Sequence, residues 1–595
     1  MSSTSSVNSI ALAISSVQRA AFSGVLLLVA ILFSLPFLIT AHRYPLTTFD
    51  SDWISASALA LALLAAATAK QVRIELRWPL PALVLVLLAV AAVQYLLGML
   101  HYSFTLSSLF MYLCTLLCAY VLGRWLVASD LRQHAIRSIC IALMAAGLLS
   151  VVVQVLQVFD VRALPTWLMF PLTDKLSSRR PFGNLAQPNQ LATYLVWATL
   201  ATMVLMRRGT AHITVQTICA ILFAGIALTG SRMGSLFAML LVALALVPNE
   251  LSADSARGRI KSAAFLLVGY GLGLALARMF LVDPSGMMAT ALERYGEGSF
   301  GQRVLMWSDA LQIALSHPWL GVGVGEYGDA QYQLAQPGRD LVATNNPHNL
   351  FLHIGAEFGI PVGLLVLGVV GWWCWTHSRT NGSRADLRAI FLMIGFVLVH
   401  SLLEYPLWHL YFLVATGLLV ALVEPDTAPA SAALKIQSRF VFASIGVAAL
   451  CATTVMKVDY DAIAGIWDEF LRERASGLGH TPELVASVMI TRDSTYFRPQ
   501  MERVYLELFP VQAQVGDENI ELSARVLSRL ADVNVIVRHI ELLLQAARLD
   551  ETAPHIARLK VFAGADYPRY REEIEQSVAE NGAILDPVRR QLAEP

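Results

Sequence analysis

An all-α, polytopic membrane protein with a helical C-terminal domain outside the bilayer is the fold class this sequence predicts. Three observations predict it. Apolar residues make up 56% of the 595 positions and charged residues only 14%, with a mean hydropathy of +0.58, whereas a soluble domain carries about 25% charged residues. A membrane span needs about 20 mainly apolar residues, and about thirteen such runs lie within positions 1–456. Beyond Met456 charge density rises sharply, and apolar residues fall at helical spacing, as in Val533, Ile536, Val537, Ile540 and Leu544. Formal net charge is zero, so composition offers no electrostatic footprint for nucleic acid.

Taken in order, a polar, Ser-rich start and Arg19 precede an apolar run over 20–40, read as a retained span because no small-residue cleavage site follows it. Further spans are expected near 52–69, 79–99, 104–126, 138–159, 190–206, 212–229, 234–248, 263–282, 350–375, 389–403, 406–423 and 440–456. Basic residues concentrate in alternate loops, as cytoplasmic loops do. They are Lys70, Arg73 and Arg77; Arg124, Arg132 and Arg137; Arg207 and Arg208; Arg257, Arg259 and Lys261; Arg379, Arg384 and Arg388; and Lys435 and Arg439. Arg179, Arg180, Arg232, Arg294 and Arg303 fall on the opposite side, and such exceptions at a membrane surface are functional candidates.

Three outside segments carry polar chemistry. The stretch Arg179-Arg180-Pro181-Phe182-Gly183-Asn184-Leu185-Ala186-Gln187-Pro188-Asn189-Gln190 reads as an irregular loop entering a span. Its amides either cap that helix or meet a substrate. The turn Thr229-Gly230-Ser231-Arg232-Met233-Gly234 joins two spans with almost no loop, so Arg232 needs an anion or a carboxylate there, and a lipid phosphate headgroup would satisfy it non-specifically. The long segment 283–349 holds Arg303, Trp307 and Ala310 at near-helical spacing. It also holds a glycine-rich run after His317-Pro318-Trp319, read as a tight turn bringing backbone close to a neighbour and not as a nucleotide loop.

The sequence from Asn345 to Ile360, NNPHNLFLHIGAEFGI, turns that loop back into the membrane. His348 is expected on the first turn of the helix, at the water–lipid boundary, either as an interfacial cap with a snorkelling imidazole or as the base that an enzyme acting on a lipid-carried substrate would place there. Tyr405, in Glu404-Tyr405-Pro406 between two further spans, is either an aromatic-belt anchor or a positioning residue. Asp459 and Asp461 flank Tyr460 as acidic residues opening a helix, a better reading than a metal pair. The six cysteines lie in apolar runs without a CxxC pair and read as small buried hydrophobes. The expected domains are a transmembrane core, 1–456, with its loop at 283–349, and a helical domain, 457–595. TPR-like helix hairpins suit the latter, although no clean period of about 34 residues runs through it.

Together, PHNLFLHIGAEFGI, TGSRMG, GQRVLMW, HPWLGVGVG, RPFGNLAQPNQLATYL and the EYP turn resemble the bacterial O-antigen ligase, polymerase and O-linked oligosaccharyltransferase superfamily, over roughly residues 20–425. The chain looks most like its protein-glycosylating, PglL-type branch. The resemblance implies a GT-C-like fold of about twelve or thirteen transmembrane helices in the bacterial inner membrane. It implies transfer of a preassembled glycan from undecaprenyl diphosphate to a Ser or Thr hydroxyl of a periplasmic protein such as a pilin. The family's essential histidine falls on His348, and its diphosphate-binding arginines on Arg232 and Arg303. Polar positions important in that branch fall on Gln187, from which Gln190 is not separable, and on Tyr405; Arg180, one of the basic exceptions, joins them as a substrate-positioning candidate. No cofactor or metal is expected, because a glycosyl diphosphate carries its own leaving group and fixed guanidinia can neutralise the developing charge. The rival activities are O-antigen ligation to lipid A–core, O-antigen polymerisation, and flipping of the lipid-linked glycan without chemistry. A flippase would be expected to bury polar residues deep in its spans, whereas the polar outliers here gather at one face.

Overall fold

The computed structural model describes residues 3–69, 71–161, 163–172, 180–206, 212–281, 299–380, 384–425, 433–477, 479–509, 516–529, 531–580 and 592. Lys70, Arg179, Arg207, Arg208 and Arg294 lie outside the described residues. The first helices are α1 (Ser3–Leu32), α2 (Phe49–Thr68), α3 (Pro79–Leu96), α4 (Ser103–Ala128), α5 (Arg132–Val158), α6 (Pro188–Met206), α7 (His212–Leu228), α8 (Arg232–Leu246) and α9 (Ala256–Phe280). They are followed by α10 (Ser299–Ser316), α11 (Tyr327–Leu334), α12 (Leu350–Phe358), α13 (Ile360–Thr380), α14 (Ala385–His400), α15 (Leu410–Val423) and α16 (Ser438–Ser476). The last are α17 (Pro482–Arg492), α18 (Arg498–Leu508), α19 (Asp517–Arg529), α20 (Val533–Gln545), α21 (Leu549–Ala563) and α22 (Tyr567–Glu580).

A helix stands at every predicted span. Among the described residues, eight helices (α1–α5, α9, α13 and α16) are long and apolar enough to cross a membrane, and α7, α8 and α15 are shorter apolar helices. The chain is a multi-pass, all-α membrane protein.

Two compact units form. One comprises residues 1–84, 112–298 and 369–454, the other 85–111, 299–368 and 455–595. In the first, Phe37 stacks on Tyr194 at 4.3 Å and Trp197 is wholly buried. Two short strands, β1 (Arg73–Arg77) and β2 (Ala433–Gln437), pair antiparallel with Arg73 opposite Gln437. Arg124 donates to the Glu75 carbonyl at 3.1 Å and the Pro425 carbonyl at 3.2 Å, and Arg132 donates to the Glu424 carbonyl at 2.6 Å. The loops that the charge pattern assigns to one side of the membrane therefore meet on one face. Arginine suits this because its planar fork can satisfy several carbonyls at chain ends with no other donor.

In the second unit α19, α20 and α21 pack on one another around Ile536, Ile540 and Leu559, all fully buried. Two imidazoles sit in that apolar setting. His539 accepts or donates to Ser523 Oγ at 2.7 Å, and His555 does the same to Tyr332 Oη at 2.7 Å. Burial holds them down at about 3 and about 4 respectively, so both are neutral at pH 7. An unfolded chain protonates them near pH 6.5, so it binds more protons than the fold at any pH between 6.5 and 4. Stability from these groups is complete above pH 6.5 and is lost as pH falls, by several kcal/mol in order of magnitude. Protection of the α20 and α21 amides against hydrogen exchange, relative to an unfolded chain at the same pH, should fall between pH 6.5 and 4.5, and His555→Gln should flatten that slope. An unchanged slope would show that the imidazole is not responsible.

Several expectations are corrected. The predicted span 350–375 is two helices, α12 and α13, broken at Gly359. Its φ of +91° suits glycine, and a Cβ there would lie 2.3 Å from the Trp319 carbonyl oxygen. Asp459 and Asp461 do not open a helix. They lie inside α16, which runs 39 residues without interruption, Asp459 accepting from Thr495 Oγ1 at 2.8 Å and Asp461 pairing with Lys457 at 2.6 Å. Of the cysteines only Cys140 and Cys219 are buried, and Cys451 is exposed on α16.

Candidate active site

In the first unit the irregular loop and the two polar turns come together through one network. Gln157 of α5 grips the loop at Gly183, its Nε2 donating to the carbonyl and its Oε1 accepting from the amide, each at 2.9 Å. Gln154, one turn earlier, donates to the Pro181 carbonyl at 3.2 Å. Asn184 donates to the Leu38 carbonyl at 2.9 Å and accepts from the Phe170 amide at 3.0 Å. These amides meet backbone groups that no helix or strand satisfies, where an unmade hydrogen bond would cost about 1–3 kcal/mol each. They therefore hold the loop rigid.

Past the clamp, Asn189 is the junction. Its Oδ1 accepts from Ser231 Oγ at 2.8 Å and from Arg180 at 3.5 Å, while its Nδ2 donates to Glu404 Oε1 at 3.1 Å. Arg180 also donates to the Thr229 carbonyl at 2.9 Å. The RPFGN loop, the TGSRMG turn and the EYP turn are thus tied together by one side chain. Ser231 caps α8 by accepting from the Gly234 amide at 3.0 Å, which makes Arg232 the first helical residue, half-buried at the positive end of the helix dipole. Anions are favoured at such a terminus. Tyr405 packs its ring 5.8 Å from His409, and burial, then Glu404, push its phenol upward. Gln187 and Gln190, inseparable by sequence, play different parts. Gln187 Oε1 accepts from the Gln190 amide at 2.7 Å and so caps α6, whereas the buried Gln190 side chain accepts from the Tyr411 hydroxyl.

Arg303 and His348 belong to the second unit. Arg303 is half-buried on the amphipathic α10, whose inner face carries Met306, Ala310 and Ile313. His348 does not lie on the first turn of α12. Asn349 is the N-cap, its Oδ1 accepting from the Phe351 and Leu352 amides at 3.2 Å each, and His348 precedes it with a φ of +53°. Positive φ is uncommon for a non-glycine residue and costs on the order of 1–3 kcal/mol, a strain that clusters at active sites. Asn346 imposes the turn, its Oδ1 accepting from the His348 amide at 3.1 Å. Thr344 in turn accepts from the Asn346 amide at 3.3 Å, and its own amide donates to Gln331 Oε1 at 2.9 Å.

Behind this loop the glycine-rich turn makes the close backbone approach its composition predicts. Gly321 has a φ of +68°, and a Cβ there would sit 2.3 Å from the Glu357 carbonyl carbon. Gln94, wholly buried in α3, locks the contact by donating to the Leu320 and Glu357 carbonyls at 2.6 and 2.7 Å. Asn189, Glu404 and Gln94 carry this architecture without having been assigned a part from sequence, and Asn346, legible there as a turn residue, also sets the histidine's backbone. Only Asn346 had a readable signal, an Asx side chain two residues ahead of the histidine.

Known proteins share these segments. A family profile described as O-Antigen ligase matches residues 217–367, which contain Arg232, Arg303 and His348. One described as Protein glycosylation ligase matches 181–205, and one described as the C-terminal part of a virulence factor membrane-bound polymerase matches 389–581. A general O-oligosaccharyltransferase of Acinetobacter baylyi is 24% identical over 567 residues, covering 91% of this chain and 93% of that protein. A ComP-specific O-oligosaccharyltransferase of the same species is 26% identical over 243 residues, covering 40% of this chain and 43% of that protein. No solved structure matches.

Proposed function

We propose, for a chain that resembles the O-antigen ligase superfamily and its protein-glycosylating branch, that it is a protein O-oligosaccharyltransferase. The observation that carries this reading is similarity to a general O-oligosaccharyltransferase along nine-tenths of the chain, C-terminal helices included. In the proposed reaction the donor is a glycan on undecaprenyl diphosphate and the acceptor a Ser or Thr hydroxyl of a periplasmic protein, pilin-like in the first instance. The hydroxyl oxygen bonds to the anomeric carbon as that carbon's bond to the diphosphate oxygen breaks. The hydroxyl proton passes to His348, and undecaprenyl diphosphate leaves with its charge held by Arg232 and Arg303. Arg180, Gln187, Gln190 and Tyr405 position the substrates. Fixed guanidinia make a metal unnecessary. The alternation of basic loops supports an inner-membrane protein with its site and C-terminal helices in the periplasm.

The test is transfer by purified protein from lipid-linked glycan to a pilin, read as intact-protein mass with and without EDTA. A glycan-sized mass gain that survives EDTA is expected. Loss with EDTA would refute metal independence. Extension of lipid A–core in place of the pilin would make the protein an O-antigen ligase, and no transfer at all would favour a transporter.

A further inference from the structure

The second unit contains a cavity of about 230 Å³ between the loop that leads to His348 and the C-terminal helices. Gln331, Thr344 and Asn345 form one wall, and Arg529, Val533 and Phe562 stand on the other. We propose that this cavity receives one residue of the acceptor polypeptide close to the hydroxyl that is glycosylated, a residue presenting oxygen acceptors beside an apolar stem. The proposal rests on the protein-acceptor reading above and names the part of the protein that selects the acceptor.

Size argues first. The volume is below the range of about 300–1,000 Å³ that holds a drug-sized ligand and suits a single side chain. Hydrogen-bonding capacity argues second. Gln331 donates to Asp309 at 2.9 Å and the Val342 carbonyl at 3.0 Å, so both of its N–H groups are used, and it accepts from the Thr344 amide at 2.9 Å. Asp532, also on the wall, accepts from the Val535 amide at 3.0 Å and from Arg503 at 2.9 Å. Asn345 Oδ1 already accepts from Asn346 at 2.8 Å. Its amide NH2 remains a donor, as does the guanidinium of Arg529, which stands 5.6 Å from the Phe104 ring centroid. The amide NH2 and the guanidinium suit a peptide carbonyl or a carboxylate, while Val533 and Phe562 suit an apolar stem.

Position argues third. Asn345 is three residues from His348, so at most about 10 Å of chain separates the cavity wall from the proposed base. An acceptor whose hydroxyl meets His348 would place a neighbour two or three residues away at that distance.

The experiment uses full-length protein, lipid-linked glycan and a pilin acceptor at varied concentration. Val533→Trp and Ala531→Trp fill the cavity from the wall remote from His348. The expected result is a rise of at least tenfold in acceptor KM, with donor KM and hydrolysis of donor to free glycan unchanged. Val533→Ala should stay within a few-fold of wild type, which separates filling the cavity from disturbing the fold. As a measurement independent of kinetics, benzoylphenylalanine in place of Phe562 should cross-link to the acceptor. Unchanged acceptor KM in both tryptophan variants would overturn the proposal, and so would a rise in donor KM or a cross-link to the glycan. If wild type glycosylates no protein while hydrolysing donor, the functional reading itself fails, a result distinct from any of these.

Discussion

His348→Ala is expected to lower turnover about 100- to 10,000-fold, the range a positioned general base contributes, with donor KM within a few-fold of wild type. The physical reason is that a Ser or Thr hydroxyl is a poor nucleophile until its proton has somewhere to go, and a neutral imidazole accepts protons near neutral pH. The backbone geometry supplies a control. His348 has a φ of +53°, a conformation in which asparagine is several-fold enriched among non-glycine residues. His348→Asn should therefore keep the turn that Asn346 imposes while removing the base. Both variants losing turnover equally would assign the effect to chemistry. Wild-type turnover in His348→Asn would refute the role of base and leave this position a purely conformational one.

Arg232→Gln is expected to cost about 100- to 1,000-fold in turnover, the loss seen when one preorganised charge stabiliser is removed. Arg232→Lys should fall between, since it keeps the charge but not the planar fork that binds two phosphate oxygens. The residue opens α8 beside the Ser231 cap, so helix dipole and guanidinium would both favour the proposed diphosphate. A second readout separates charge stabilisation from structural support. With a diphosphate as the proposed leaving group, inhibition by polyprenyl diphosphate should weaken in parallel with turnover. Full loss of turnover with undiminished product inhibition would mean that Arg232 supports the turn and does not touch the diphosphate.

The helices were legible in the sequence because hydropathy is a local property. A window of about 20 residues is enough to recognise a span, and a helix stands at each predicted one. The close backbone approach at Gly321 was legible for the same reason, as was the irregular loop ahead of α6. The break at Gly359 was not. The apolar run continues through it, and the glycine is required only because the Trp319 carbonyl lies against it. The uninterrupted length of α16 was hidden as well, because the change in charge density at Met456 marks a change of solvent and no change of backbone.

For the candidate site the division is sharper. Residue type and the side of the membrane select His348, Arg232, Arg303 and Arg180, since a base and several fixed cations outside the expected loops are chemistry that composition can display. Their supports could not be selected in that way. Asn189 matters because it meets Glu404, 215 positions later, and Gln94 because it meets Glu357, 263 positions later. Nothing local distinguishes those amides from any helix cap or polar span residue. By itself the sequence determined where the chain enters the membrane and which groups are chemically able to act, both being properties of short stretches. Only the tertiary structure decided which hydrogen bonds hold those groups in place, because a buried amide is satisfied by whichever backbone the fold brings to it.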